Sequence, residues 1–481
     1  VLAEAEAVGG ATTTIDVDVG MRELAEASIV VAANGRWSFR SALLEEGVYA
    51  TTNEQERLGL HRVALGYWST KDRSRESIAA RIARHAEAAS ERGTAATAFA
   101  ILAEHAHRAH RALDADQAWQ GALRNLDARD AARSRALLGR ARERYRLQRV
   151  REALADLDEA RTIAVEIGDV PLELEILLEQ ATALDWVDDY EASAAVVETV
   201  ETRLAATPVP SLEVALGLAQ GRRLHRNKQN VEASRQLRAV MLAARERGNH
   251  DIEIVAGVTL APALVEAEDL ESAERVFDEL IAICEGRDDR IHLAACYANR
   301  AFLWSARGEI ERTAADQRLV IQISREIGQA IIERNGTHNL AEDLLWEGKL
   351  DEALVLARRC VALQRGHGES AVLWDDLLLA RVLAARGERV ELAAILDKLE
   401  RGELTPWDRA MARGLRLAAA DTSPELWQET LQQNAAVLPT DRQIELAHLA
   451  IRRGMLTDTQ RSEVRELATR HPIWLRRLDE L

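Results

Sequence analysis

A period of about forty residues runs through the middle of the chain and constrains its fold more than any other feature. The segments Tyr145 to Arg161 and Leu345 to Cys360 align, and each holds a helix end, a short turn and a Glu-Ala-Leu that opens a second helix. A repeat of this length predicts stacked helix pairs, since each pair buries its apolar face only against its neighbours. The small residue of the motif, here named the anchor, recurs in steps of 39 to 41 at Ala153, Ser193, Ser234, Ala273, Thr313 and Ala353, and more weakly at Ala393.

Other residues keep the same phase as the anchors. Gly308 and Gly348 lie five residues before their anchors, where a tight turn between two helices favours glycine. A second set of glycines, 13 to 15 residues after the anchors, predicts the end of the second helix: Gly168, Gly248, Gly286, Gly328 and Gly368. Apolar or small residues stand seven after the anchors and predict one buried helix face: Ala160, Val200, Met241, Leu280, Val320 and Cys360.

Composition agrees with an all-α chain. Hydrophobic residues make up 47% of the sequence, aromatic residues only 4%, and there are eight prolines. Such a balance suits long helices that pack through small side chains. The net charge of −17 argues against nucleic acid as a partner, which needs a basic surface. We find no stretch of about 18 apolar residues, so the sequence predicts no membrane span.

The repeats resemble a known family. The segment YRLQRVREALADLDEA, from Tyr145, resembles the tetratricopeptide consensus, and THNLAEDLLWEGKLDEAL, from Thr337, is similar to kinesin-light-chain repeats. The period exceeds the usual 34 or so residues, which is typical of the longer repeats in bacterial sensor ATPases. The resemblance implies a right-handed tetratricopeptide-like α-solenoid.

The N-terminal region has a different pattern. Two β-rich runs, Ser28 to Ala32 and Trp37 to Ser41, flank Asn34-Gly35, the strongest short signal for a hairpin turn. A helix is predicted just before them, over Met21 to Ala27. Helix followed by hairpin suggests a winged-helix-like segment.

The segment Ser38 to Trp68 resembles the winged-helix-to-repeat junction of bacterial signal-transduction ATPases with numerical domains. Ser41 stands where that family has histidine. The resemblance implies a cytoplasmic signalling protein whose ATPase domain precedes Val1. The residues that carry it are Phe39, Arg40, Ala42, Leu43, Val48, Tyr49, Leu60, His61 and Arg62.

We therefore expect four segments. Residues 1–68 would form the winged-helix-like segment and junction, and 69–130 irregular helical hairpins. Residues 131–400 would form the tetratricopeptide-type repeats, and 401–481 a C-terminal helical cap, which solenoids need to cover their last apolar face.

Motifs for catalysis and cofactors are weak. Gly9 to Thr14 lacks the lysine of a phosphate-binding loop. The three cysteines show no CxxC spacing, which favours buried free thiols. His107 and His110, with Glu104, share a face of the helix 104–110, so a metal-dependent enzyme using it is one alternative. A self-assembling scaffold is another. We expect no enzymatic activity and no cofactor in this chain.

The leading prediction is protein recognition on the first helices of the repeats. Five of the six residues 14 before the anchors are polar: Glu179, Gln220, Thr259, Asn299 and Asn339, with Gly139 the exception. Amides at one helix phase suit the backbone of a bound peptide, although a solvated surface gives the same pattern. The candidate partner-binding residues are Gln220, Arg223, Arg226, Asn299, Asn339 and Glu342, with Trp186 and Trp346 as apolar contacts. The expected partner is a protein or peptide, or the protein's own upstream ATPase domain.

Overall fold

In a computed structural model, residues 16–33, 36–363 and 369–481 are described, and most of them are helical. The chain divides into two compact units, Val1–Ala219 and Gln220–Leu481. The all-α architecture predicted from the sequence is confirmed. Among the described residues, no helix is long and apolar enough to span a bilayer.

The first unit begins with a helix and a strand pair and continues as helices. Its elements are α1 (Val17–Glu26), β1 (Val30–Ala33), β2 (Arg36–Phe39), α2 (Ala42–Thr51), α3 (Glu54–Ser69), α4 (Glu76–Ala88), α5 (Arg92–Arg108), α6 (Ala112–Arg124), α7 (Ala131–Arg146), α8 (Val150–Ile167), α9 (Val170–Asp185) and α10 (Tyr190–Ala206). Helix α11 (Glu213–Arg226) crosses from the first unit to the second.

The second unit is entirely helical where it is described. Its helices are α12 (Asn230–Glu246), α13 (His250–Glu266), α14 (Leu270–Arg287), α15 (Arg290–Ala306), α16 (Ile310–Glu326), α17 (Ala330–Glu347), α18 (Leu350–Leu363), α19 (Glu369–Arg386), α20 (Arg389–Leu399), α21 (Pro406–Ala419), α22 (Pro424–Ala435), α23 (Thr440–Arg452), α24 (Asp458–Leu467) and α25 (Pro472–Asp479).

The predicted repeat is present as antiparallel helix pairs. In each pair, the first (A) helix is one of α7, α9, α11, α13, α15, α17 or α19, and the second (B) helix follows it. The first six anchors lie near the start of a B helix and are buried, while the weaker Ala393 is half-buried. All six residues seven positions after the anchors are also buried. One face of each of these six B helices therefore packs against its own A helix, as the periodicity predicts.

Small residues bring the paired helices close together. A side chain on Gly257 of α13 would start 2.6 Å from Leu280 of α14, nearer than carbon atoms pack. Leu280 is one of the apolar residues seven after an anchor. Glycine at this position lets a large side chain from the B helix lie against the A-helix backbone.

The turns follow the glycine pattern with one exception. Gly168, Gly248, Gly308, Gly328 and Gly348 all have a positive φ, in the left-handed region that glycine favours. Gly286 was expected to end α14, but the helix continues to Arg287, and Asp288 takes the left-handed conformation (φ 55°). A short polar side chain tolerates this region through local hydrogen bonds, so aspartate replaces glycine there. Gly368 lies outside the described residues.

The predicted N-terminal hairpin has two antiparallel strands, with Val30 opposite Phe39 and Ala32 opposite Trp37. Asn34 and Gly35, expected to form its turn, lie outside the described residues. The preceding helix α1 runs from Val17 to Glu26, four residues longer at its start than the sequence indicated. Helix α2, which follows the hairpin, has no buried residue. This segment is therefore held by few apolar contacts.

The last helices begin at identifiable caps and return to the repeats. Thr405, Ser423 and Thr457 each accept a backbone N–H of the helix that follows, which satisfies an otherwise unpaired donor. Helix α23 is buried along most of its length, and it and α25 pack back on α17. The apolar core of this region is therefore shared by α17, α19, α21 and α23.

Candidate functional site

One side of the A helices is left uncovered in the second unit. The B helices pack against the opposite side, so partly exposed residues recur along α13, α15 and α17 at matching distances from the anchors. Phe302 is the most prominent, with 53% of its surface exposed. We name this surface the open face, and it consists of Val255, Val258, Ala295, Ala298, Phe302, Asn335 and Asn339.

The open face is apolar on two helices and amide-bearing on the third. α13 and α15 contribute valine, alanine and phenylalanine, whereas Asn335 and Asn339, one turn apart on α17, are exposed. Asn339 was predicted as a partner-binding residue, but Asn335 was not. The signal that could have found Asn335 is its position four residues before Asn339, on the same helix face.

Asn299 has a partner inside the chain. Its side-chain Nδ2 donates to the main-chain oxygen of Val258 over 3.2 Å. Pro262, inside α13, has no N–H to donate to the carbonyl four residues before it, and that carbonyl belongs to Val258. The Asn299 amide therefore supplies the hydrogen bond that the proline removes, and it joins neighbouring A helices.

Glu342 and Trp346 contact the C-terminal helices of the chain itself. Glu342 accepts from Arg381 of α19 and from Arg442 of α23, the latter over 2.6 Å. Trp346 Nε1 donates to Glu445 of α23 over 3.0 Å. The open face therefore ends on α17 just beyond Asn339.

These contacts belong to a buried ionic cluster. Arg381, only 3% exposed, donates to both carboxylate oxygens of Glu445 over 2.8 and 2.7 Å and also contacts Glu342. The pKa of Glu342 is lowered to about 2: burial acts to raise it, but the positive charges of Arg381 and Arg442 outweigh that effect. The cluster thus keeps Glu342 ionised and fixes α23 against α17 and α19.

This arrangement of helix pairs is also found in a solved structure. A signal-transduction ATPase with numerous domains and a tetratricopeptide repeat sensor, from Pyrococcus horikoshii, superposes with a TM-score of 0.50 at 12% identity, over 80% of this chain and 58% of that one. The chain has a tetratricopeptide-repeat fold.

Two other solved structures match less closely. The apo quorum sensor NprR from B. thuringiensis gives a TM-score of 0.48 at 14% identity, covering 68% of this chain and 98% of that one. The tetratricopeptide-like repeats of a protein described as a kinesin light chain from Podosopora anserina give a TM-score of 0.34 at 22% identity, covering 38% of this chain and 92% of that one. No family model and no curated protein matches the chain.

The remaining predicted residues lie on other tetratricopeptide A helices. Gln220 is half-buried on α11, and its Oε1 accepts from Gln236 of α12 over 3.3 Å. Arg223 and Arg226 follow in the last turn of α11 and are also half-buried. Trp186 ends α9 in the first unit and is 49% exposed.

In the first unit, the corresponding A-helix surface is occupied by ion pairs. Arg142 of α7 donates to Glu179 over 2.9 Å and to Glu175 over 2.8 Å, both on α9. Tyr145 donates its hydroxyl to Glu179 over 3.2 Å. Arg142 thus holds two carboxylates, and this surface of the first unit presents ion pairs where the open face of the second unit presents the exposed amides of Asn335 and Asn339.

The histidine-rich helix does not gather its predicted ligands. His107 Nδ1 lies 2.5 Å from the buried carboxylate of Glu143 on α7, and Glu104 faces Arg108. His110 adopts a positive φ in the turn after the helix. Within the described ranges, His107 and His110 do not belong to any cluster of three potential metal ligands.

A different ligand-like cluster lies between α17, α18 and α19. The side-chain ligand atoms of His338, Cys360 and Asp375 lie within 4.8 Å of one another, and all three residues are buried. Both oxygens of Asp375 are already used, by Arg334 at 2.5 Å and by His338 at 3.0 Å. Burial raises the pKa of the Cys360 thiol, so it stays neutral. We assign these contacts a packing role.

Proposed function

We propose that the chain is a protein-recognition module whose open face binds an extended segment of another protein. The observation that carries the proposal is the pairing of exposed amides, Asn335 and Asn339, with the exposed Phe302 on the neighbouring A helix. A side-chain amide both donates and accepts, so it can hydrogen-bond peptide backbone, while Phe302 offers apolar contact.

The module would act as the sensor or scaffold arm of a cytoplasmic bacterial signalling ATPase. The Pyrococcus horikoshii protein of similar fold is described as such an ATPase with a tetratricopeptide repeat sensor. This chain spans 58% of that protein's length. The bound segment would belong to an activator or to the protein's own ATPase domain.

Residues beyond the open face extend this proposal. Gln220, Arg223 and Arg226 lie on α11, the preceding A helix, and would continue the surface with positive charge. Trp186, in the first unit, would be an apolar contact separate from the open face. Asn299, Glu342 and Trp346 are bound within the chain, and their role would be to hold the open face in shape.

Selection from a random dodecapeptide library displayed on phage tests the proposal. Peptides enriched on the full chain should lose binding to Asn339→Ala and Asn335→Ala, because each variant removes one amide, while thermal unfolding stays the same. Gln322→Ala is the matched control, since Gln322 is an exposed amide on the B helix α16. Enriched peptides that bind both asparagine variants as well as wild type, or a library with no enriched peptide, would refute the proposal.

A further inference from the structure

Asp343 is a half-buried carboxyl group at the edge of the open face. It lies on α17, ten residues before the anchor Ala353. The residues at the same position in the two preceding A helices, Ala263 and Leu303, are apolar and fully buried. Helix α7 also has an acid at this position, Glu143, but its carboxylate is bound by His107. On α17 an acid stands where α13 and α15 have a core residue, next to the level of Phe302.

The acidic neighbours of Asp343 have cationic partners. Glu342 is bound by Arg381 and Arg442, and Lys349 lies 2.6 Å from Glu347. Asp343, in contrast, forms no hydrogen bond or ion pair with any residue in the described ranges.

On the helices that pack against α17, Arg381 of α19 binds Glu342 and Glu445, and Arg477 of α25 donates to main-chain oxygens of α17, so neither serves Asp343. On α15, Phe302, Ser305 and Ala306 are exposed at this level and are uncharged. Arg307, just after α15, is bound to Glu274 over 2.6 Å. Burial, and then the charges of Glu342 and Glu347, raise the pKa of Asp343 to about 7.

We infer that the open face selects a basic peptide, in which an arginine or lysine pairs with Asp343 while an adjacent apolar side chain lies on Phe302. This inference rests on the proposed function and names the ligand class. A cation would replace the hydration that Asp343 loses on burial, and a guanidinium would do so through directed hydrogen bonds. The chain's net charge of −17 would also attract a basic partner.

Binding of such a peptide should release protons near neutral pH. About half of the Asp343 side chains carry a proton at pH 7, and a bound cation favours the ionised form. The affinity should therefore rise between pH 6 and pH 8. Proton release is a signature that contact between apolar surfaces does not produce.

The test uses dodecapeptides selected on the full wild-type chain, compared with those selected on Asp343→Asn. Arginine or lysine next to an apolar residue should be enriched on wild type but not on Asp343→Asn. The wild-type peptides should bind the variant about tenfold more weakly, which is a typical loss for an ion pair of this kind. Calorimetry in two buffers of different ionisation enthalpy measures the released protons.

Glu352→Gln is the control, because Glu352 is an exposed carboxylate on the B helix α18. Peptides that lack basic residues, or that bind Asp343→Asn as tightly as wild type with no proton release, would overturn this inference and leave the proposed function standing. A library with no enriched peptide would overturn both. Loss of binding to Asp343→Asn but not to Glu352→Gln, with proton release lost as well, would support it.

Discussion

Asn299 completes the hydrogen bonding of Val258, a residue 41 positions earlier on the neighbouring A helix. Val258 would normally bind the N–H four residues later, but residue 262 is proline. The proline therefore creates an unpaired carbonyl between α13 and α15, and the Asn299 amide satisfies it. Pro262 is unusual inside a helix, and the polar Asn299 side chain is directed at a neighbouring helix. Each of these features accounts for the other.

Asn299→Ala should lower the free energy of unfolding by about 1 to 3 kcal/mol, because it leaves a carbonyl without its donor. Pro262→Ala restores an N–H that can bind Val258, so the same asparagine substitution should cost less in that background. Urea unfolding of the two single variants and the double variant measures the coupling. Equal costs in both backgrounds would show that the amide and the proline are independent.

Gly348 ends α17 with φ +81°, and a side chain there would overlap the Arg477 guanidinium. Gly308 ends α15 with φ +74° but has open space around it. Gly308→Val should cost about 2 kcal/mol from backbone strain alone. Gly348→Val should cost at least about 1 kcal/mol more, since it also displaces Arg477. Equal shifts in melting temperature would contradict the contribution of Arg477.

Asp343→Asn should stabilise the protein at pH 8. The raised pKa, about 7 in the folded state, means that folding favours the protonated acid. That contribution is complete below the unfolded pKa near 4 and is lost as pH rises through 7. Asparagine avoids the loss, and we expect a gain on the order of 2 kcal/mol at pH 8 and little change at pH 4. The control Glu352→Gln should show no such trend in thermal unfolding between those pH values.

Glu342→Gln should have the opposite pH dependence. The folded pKa of Glu342, about 2, lies below its unfolded value, so its contribution is present above about pH 4.5 and lost as pH falls toward 2. Glutamine removes one of the two carboxylates that contact Arg381 and Arg442 and leaves Glu445 to balance both, which should cost about 3 kcal/mol at pH 7. The difference from wild type in acid titrations should shrink toward pH 2. A stability difference that does not change with pH would show that the substitution acts through packing and not through the lost charge.

The repeat fold could be predicted because its signal is local. Anchors such as Ala153 and Ala353, and the residues seven positions after them, are each buried within one helix pair, so a periodicity of forty reports them directly. Gly286 was misassigned because Asp288, two residues later, also tolerates the left-handed region. The position of a turn is therefore harder to predict from the sequence than the buried face of a helix.

The contacts around the candidate site could not be predicted from the forty-residue period. Glu342 and Trp346 have the phase of surface residues, but α23 covers them from about a hundred positions away in sequence. Asn299 was misleading for the reverse reason, since its polar side chain serves the backbone of the neighbouring helix. Only Pro262, an unusual residue inside a helix, offered a clue to that contact.

The return of the last helices to α17 has a consequence for the order of folding during synthesis. Each earlier A helix meets its B helix within about forty residues, so most pairs can dock soon after they leave the ribosome. Arg477, however, binds the main-chain oxygen of Leu345, 132 residues before it. The contact of Arg477 with the C-terminal end of α17 can therefore form only after nearly the whole of the second unit has been made. We expect this late, long-range closure to be the slowest step in the folding of that unit.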